Sequence, residues 1–286
     1  MLFPDQPFTQ EGSMGLKDFF KPVKTIPPEK ARDIMSQYDH GSVTLLDVRQ
    51  PKEYEQEHIP GAVLIPLPRL TDKLHELDTE KPTIVYCAIG GRSRVAAQML
   101  AGKGFVDVYN LQGGIKAWNG HKATGPVELH FQFLRETDSP ETLTMLAYHM
   151  EDAAQSFYTT LQQRTDDPEL SALFKQLAGY EEKHKERVLG ICREMALPQE
   201  ERQKISAGFI EGGFRTDDVL EKNAAFLTNA ADVLALAMML ETQSLDLYLR
   251  LADAVTRNSA REFLLTLADE EKKHLTHLGT LLEEKI

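Results

Sequence analysis

From about Lys21 to Pro126, short apolar runs alternate with stretches of helical periodicity. Val43-Thr44-Leu45-Leu46 and Thr83-Ile84-Val85-Tyr86 read as buried strands, and Pro28 to Tyr38 and Ser93 to Lys103 read as helices. That alternation predicts an α/β domain: a parallel sheet with helices on both faces. Around Thr124-Gly125-Pro126 the pattern changes. Asp138-Ser139-Pro140-Glu141 caps a helix with proline at its first position, and beyond it nearly every segment carries a helical stripe. Four long helices are predicted near 139–164, 168–196, 228–256 and 259–285. Short turns join the first to the second and the third to the fourth. A connection of about thirty residues, holding Gly208, Gly212 and Gly213, separates the two hairpins. The chain is thus read as a tail (1–20), an α/β domain (21–126), a linker (127–138) and an all-α bundle with one long crossover (139–286).

The second hairpin repeats the first at a constant offset of 90 residues. Glu151 corresponds to Glu241, Glu181 to Glu271 and His184 to His274, while Tyr158/Tyr248, Leu177-Ala178/Leu267-Ala268 and Lys183/Lys273 keep the same step. Helical spacing places Glu181 and His184 in the stripe Leu170, Leu173, Phe174, Leu177, Val188, Ile191. Glu271 and His274 interrupt Phe263, Leu264, Leu267, Leu278, Leu281. Glu151 falls beside Ala147, Ala154, Tyr158 and Leu161, and Glu241 beside Leu234, Ala237, Tyr248 and Leu251. A single Glu-x-x-His is ordinarily part of a solvated acidic face. Two copies with two partner glutamates, all on core stripes, are not. Four carboxylates turned inward need compensation, and a pair of divalent metal ions supplies it. Oxygen and imidazole donors suit iron or manganese, and the lack of thiolates disfavours structural zinc. Glu182 and Glu270 fall off the stripe and are expected at the surface, as are His149 and His277. Tyr158 and Tyr248 are expected as core residues able to support the ligands.

Charge sharpens the division. Residues 1–137 hold 16 basic and 17 acidic side chains and the remainder 16 and 27, so almost all of the net charge of −12 lies in the bundle. An acidic half suits cations and argues against nucleic acid, which needs clustered Lys and Arg. No run approaches the roughly 20 apolar residues of a membrane span, and the start lacks a secretory pattern. With only Cys87 and Cys192, the composition gives no disulfide framework, and a cytoplasmic setting is expected. Cys192, next to Ile191 on the apolar side, is expected to be structural.

Cys87 ends an apolar strand and opens the loop Ala88-Ile89-Gly90-Gly91-Arg92-Ser93, after which a helix begins. A cysteine there faces free backbone N–H groups and the positive end of a helix, which lower its pKa and make an anion cradle. Gly90 and Gly91 are expected to let the backbone curl inward, and Arg92 to pair with an anionic substrate. Four residues separate Cys87 from Arg92, a ring suited to a persulfide sulfur and smaller than a phosphate loop.

Residues 22–120 resemble single-domain rhodaneses. The matching residues are Leu46-Asp47-Val48-Arg49, Glu53-Tyr54, His58-Ile59-Pro60-Gly61-Ala62, Ile65-Pro66, the Cys87 loop, and Gly113-Gly114-Ile115 with Trp118. The resemblance implies that Cys87 accepts a sulfane sulfur as a persulfide and passes it to cyanide or a thiol, with Arg92 orienting the donor. Asp47, Arg49 and His58 are read as scaffold and Trp118 as core. Residues 139–286 resemble the rubrerythrin and ferritin-like proteins, whose two-Glu, two-Glu-x-x-His arrangement is a known di-iron pattern. That resemblance implies a non-haem di-iron centre for peroxide or oxygen reduction, and an oligomer formed through the bundle. Two departures stand out. No pair of C-x-x-C motifs is present, so electrons come from a donor other than an iron–tetracysteine module. Position 244 is Ser, where many rubrerythrins carry a further glutamate ligand.

The expected function is therefore a two-centre enzyme, with sulfur transfer at Cys87 and redox chemistry at a metal pair. The alternative is a persulfide carrier or sensor joined to a metal-binding bundle with little turnover. Neither haem nor nucleotide is expected.

Overall fold

The computed structural model describes residues 21–38, 41–130, 140–194, 209–223 and 227–285. The tail, the Asp138-Ser139 cap, Gly208 and the side chain of Cys192 lie outside the described residues.

The N-terminal elements are β1 (Lys24–Ile26), α1 (Pro28–Gln37), β2 (Thr44–Asp47), α2 (Pro51–Gln56), β3 (Val63–Leu64), β4 (Thr83–Tyr86), α3 (Gly91–Gly102), β5 (Val108–Leu111) and α4 (Gly114–Ala117). The five strands form one sheet in the order β1-β5-β4-β2-β3, every pair parallel. The central strand β4 is buried along its whole length, which is why it reads as a continuous apolar run rather than an alternating one. Asp47 pairs with Tyr86 in the β2–β4 register, so the two strands end level. The core under α3 joins Leu46 and Val85 to Ala96, Ala97 and Leu100.

The helical elements are α5 (Pro140–Arg164), α6 (Pro168–Glu194), α7 (Thr216–Asn223), α8 (Ala230–Ala254) and α9 (Asn258–Lys285). α5 packs on α6 and α8 on α9 as two hairpins. Local chemistry starts these helices where the pattern expects. Asp167 Oδ1 accepts from the amides of Glu169 and Leu170 at the head of α6, and Asn229 Oδ1 accepts from Asp232 N at the head of α8. The crossover holds more structure than expected: β6 (Phe209–Ile210), a turn at Glu211–Gly213, β7 (Phe214–Arg215) and α7. Two apolar clusters fill the bundle, one around Met150, Val188 and Leu267, the other around Tyr158, Leu177 and Leu240.

The chain forms two compact units: one takes the chain up to Gln50 and Val63–Asn119, the other Pro51–Ala62 and Gly120 onward. Within the second unit His58 is fully buried, its Nδ1 2.9 Å from Tyr54 O and its Nε2 3.3 Å from Asp246 Oδ1. Asp246 also accepts from Gly61 N and from Arg250 Nε. Among the described residues no helix is long and apolar enough to cross a membrane.

Candidate functional site

Cys87 follows the last residue of β4, and its sulfur lies buried on the floor of the loop, 1 % exposed. The Gly90 amide donates to Sγ at 3.1 Å, and Ser93 Oγ lies 3.4 Å from the same sulfur. Burial alone would raise this thiol. Hydrogen bonds from the Ser93 hydroxyl and from the amides of Ser93, Ile89 and Gly90 outweigh it and hold the thiol below its ordinary value. Gly90 carries the left-handed turn (φ +97°), whereas Gly91 does not share it and begins α3 in ordinary helical geometry. The inward curl is therefore the work of Gly90 alone. Ile89 is exposed at the loop crest, Ala88 and Arg92 are half-buried, and Ser93 is fully buried. Ser93 thus faces the sulfur, not solvent.

Behind the loop, Ile115 N and Lys116 N donate to Cys87 O and Ala88 O at 2.8 and 3.2 Å. A Cβ at Gly114 would lie 2.2 Å from Cys87 O, so Gly113-Gly114-Ile115 clamps the cysteine loop through a contact that only glycine permits. Asn110, a buried polar residue of β5, accepts from Ser93 Oγ at 2.7 Å and was not singled out by pattern. Asp47 and Arg49 form a buried bidentate pair, with Nη2 2.6 Å from Oδ2 and the guanidinium over the Tyr86 ring. They brace the strand ends, as expected of scaffold, and Trp118 is buried.

In the bundle, Glu151 (α5), Glu181 and His184 (α6), Glu241 (α8), and Glu271 and His274 (α9) all turn inward, the four carboxylates being 2–4 % exposed. They lie where the two apolar clusters meet. His184 Nδ1 is 2.9 Å from Glu181 Oε2 and 3.4 Å from Glu151 Oε2; His274 Nδ1 is 3.1 Å from Glu271 Oε2 and 3.3 Å from Glu241 Oε2. The pseudo-repeat thus produces two matching half-sites. The imidazole rings stack with centroids 3.4 Å apart. A further carboxylate, Glu211 from the crossover, joins them: its ligand oxygen and those of Glu181 and Glu241 lie within 4.8 Å of one another.

The electrostatics of this cluster are strained. Burial carries Glu181 up to about 8 and pushes Glu271 and Glu211 well above the carboxylate range. Burial also opposes ionisation of Glu241, yet hydrogen bonding with Glu271 and the attraction of His274 hold it at about 2. The two imidazoles feel burial in the opposite sense, but their carboxylate neighbours carry them up to about 10 (His184) and about 12 (His274). Two stacked rings that both want a proton repel one another. Divalent cations held by these carboxylates and imidazoles would remove that conflict by keeping both rings neutral.

Glu151 Oε2 and both oxygens of Glu211 are buried without hydrogen-bond partners, and the donor set is carboxylate and imidazole only. These are the requirements of hard-to-borderline divalent cations, and the residues fit them. A cavity of about 230 Å³ reaches the cluster, lined by Glu181, His184, Glu241 and His274 with Tyr158, Tyr180, Lys273 and His277. Tyr158 and Tyr248 are fully buried, but the hydroxyl of Tyr248 meets Met150 Sδ at 4.0 Å rather than a ligand. Glu182 is exposed as expected. Glu270 is not: its side chain is 14 % exposed beneath Arg187 and Lys273. His277 is exposed and His149 half-buried.

An α/β domain built around a cysteine anion loop, joined to a four-helix bundle with a carboxylate–imidazole core, defines a fusion of two known classes. Residues 28–121 match the rhodanese-like domain family and residues 141–282 match rubrerythrin. The thiosulfate sulfurtransferase GlpE of Pseudomonas syringae pv. syringae is 42 % identical over 95 residues, covering 33 % of this chain and 86 % of that protein. The uncharacterized protein YqhL of Bacillus subtilis is 47 % identical over 98 residues, covering 34 % and 74 %. A solved rhodanese-like domain protein from Staphylococcus aureus is 28 % identical with a TM-score of 0.32, covering 35 % of this chain and 94 % of that one. The chain belongs to the rhodanese-like family through its N-terminal third, and carries a rubrerythrin domain after it.

Proposed function

We propose that this protein is a two-centre enzyme: a sulfurtransferase working through a Cys87 persulfide, and a di-iron oxidoreductase reducing peroxide or oxygen in the bundle, with manganese as the alternative metal. For the first centre the supporting observation is the sulfur of Cys87 among the donors of Ile89, Gly90 and Ser93. The Cys87 thiolate attacks the outer sulfur of a donor such as thiosulfate. The donor's S–S bond breaks, its electron pair leaves with sulfite, and Cys87 holds the sulfur as a persulfide. Cyanide or a thiol then attacks the terminal sulfur, and Cys87 departs as a thiolate stabilised by the same donors. Arg92 orients the anionic donor at the loop rim.

For the second centre the supporting observation is the meeting of Glu151, Glu181, His184, Glu241, Glu271 and His274 at one buried point. When bound, an iron pair supplies electrons and Lewis acidity to a small oxidant. The chain's own part is to hold two cations in paired half-sites and to exclude bulk water. The cavity admits a ligand the size of peroxide or oxygen.

Metal analysis with an optical spectrum, before and after peroxide, tests the bundle; less than one iron or manganese per chain after anaerobic loading overturns that half. A thiosulfate:cyanide assay tests the loop. The two centres share a chain, and we infer that they are linked, either by reducing equivalents drawn from sulfane sulfur or in a detoxification response. Peroxide turnover with a persulfide donor that is unchanged in Cys87→Ser ends that coupling.

A further inference from the structure

The crossover between the hairpins is shaped to deliver one side chain. Phe209 and Ile210 pair with Arg215 and Phe214 in a two-stranded ladder, and Glu211-Gly212-Gly213 turn between them. Gly212 and Gly213 both adopt the left-handed region, at φ +70° and +79°. A Cβ on Gly212 would lie 2.4 Å from Gln243 Cβ, so the turn runs directly against α8 and requires glycine there. Gly212 N donates to Ser244 Oγ at 2.8 Å, and Ser244 is fully buried. The turn is therefore pinned one helical turn along α8 from Glu241.

What this construction buries is the Glu211 carboxylate. It is 1 % exposed, both of its oxygens lack a hydrogen-bond partner, and one lies within 4.8 Å of ligand oxygens on Glu181 and Glu241. A carboxyl held for architectural reasons would be met by an arginine, a lysine or amide donors; this one is met by other carboxylates. Two ladder pairs, two glycines and a serine cap position a side chain whose oxygens have no hydrogen-bond partner.

Resting on the di-metal reading above, we propose that Glu211 is a seventh ligand of the metal pair, delivered by the crossover beside the place where α8 carries Ser244 in place of a carboxylate. The site then offers five carboxylates and two imidazoles, one negative charge more than two divalent ions neutralise. That surplus favours a higher metal charge. Glu211 accordingly tightens binding and lowers the reduction potential of the pair.

The test is anaerobic Fe(II) titration of the full chain and of Glu211→Gln, with Mössbauer spectra of the loaded proteins and thermal melts of the metal-free ones. The wild type is expected to take two ions. Glu211→Gln should bind at least one of them about tenfold or more weakly, with an altered Mössbauer doublet, and should be easier to reduce. Its metal-free form should melt no lower than the metal-free wild type, since the Glu211 carboxyl has no hydrogen-bond partner to lose. Equal affinity and an unchanged spectrum overturn the assignment while leaving the six-residue site intact. A metal-free variant that melts lower than wild type overturns it in favour of a structural role. A wild type that takes no iron overturns both this assignment and the di-metal reading beneath it.

Discussion

The Cys87 loop and the bundle cluster both gather negative charge away from water, and they do so by opposite means. The loop draws on backbone. Its donors are the amides of Ile89, Gly90 and Ser93, residues within five positions of one another around the start of α3, helped by one hydroxyl. Such donors are present in any chain, and the strand–loop–helix geometry aims them without cost in buried charge. The cluster draws on side chains from α5, α6, the crossover, α8 and α9, and what it gathers is like charge. The positive groups set among these carboxylates are the two imidazoles His184 and His274. The first site is complete on folding, whereas the second works against folding until cations arrive. The difference predicts that each centre fails alone and in its own way.

The largest effect expected is on sulfur transfer. Cys87→Ser should lower thiosulfate:cyanide turnover by at least about 10³-fold, because no other residue of the loop offers a nucleophile of comparable reactivity. Iron content should not change. Metal loading is the converse experiment. Filling the cluster to about a thousand times its dissociation constant adds roughly 4 kcal/mol to the folded state, enough to raise the bundle's melting temperature by roughly 10 °C. Sulfur transfer before and after chelation should agree. Loss of iron binding in Cys87→Ser, or of sulfur transfer on chelation, would break the comparison by showing one cooperative site.

Acidity sharpens it further. In the metal-free bundle Glu181 titrates at about 8 and His184 at about 10. Both values lie above those of an unfolded chain, near 4.3 and 6.5. The folded state then binds more protons than the unfolded state across this span, so stability falls as pH rises from about 4.5 toward 10. Glu241, held at about 2, acts with the opposite sign, but only below about 4.3. Metal binding displaces protons, so the loaded protein gains on the metal-free one as pH rises. Thermal melts of the two forms at pH 5, 7 and 9 should diverge. Parallel curves would show that the cluster carries no such protons.

How much of this was legible follows the same division. Thr83–Tyr86 was readable because a strand buried on both faces is continuously apolar, and the long helices because their stripes run for many turns. The six bundle residues were readable because each interrupts such a stripe and each has a twin 90 residues away. Glu211 had neither aid. It lies in a connection without period, and the position one repeat offset before it is His121, not a glutamate. Its signal was the pair of glycines after it, which marks a turn but not what the turn presents. Asn110 was hidden for a related reason, since a polar residue in a short strand ordinarily reads as the solvent face. Gly90 and Gly91 look alike in sequence, and only the backbone separates the one that needs φ > 0 from the one that starts a helix.

The smallest effect belongs to the pair that sequence least foresaw. Asn110 accepts from Ser93 Oγ at 2.7 Å, and Ser93 Oγ lies 3.4 Å from the Cys87 sulfur. The serine has one proton to give, so its bond to Asn110 and its bond to sulfur compete. A thiolate tips that competition toward sulfur. Ser93→Ala removes one donor among several and leaves the amides in place. Alkylation of Cys87 by iodoacetamide at pH 6.5 should slow roughly fivefold, the weight of one hydrogen bond, and the midpoint of its pH profile should move upward. Asn110→Ala frees the serine proton for the sulfur and should move that midpoint downward. Opposite shifts from two neighbouring substitutions would distinguish an electrostatic role from simple disturbance of the loop, which would push both the same way.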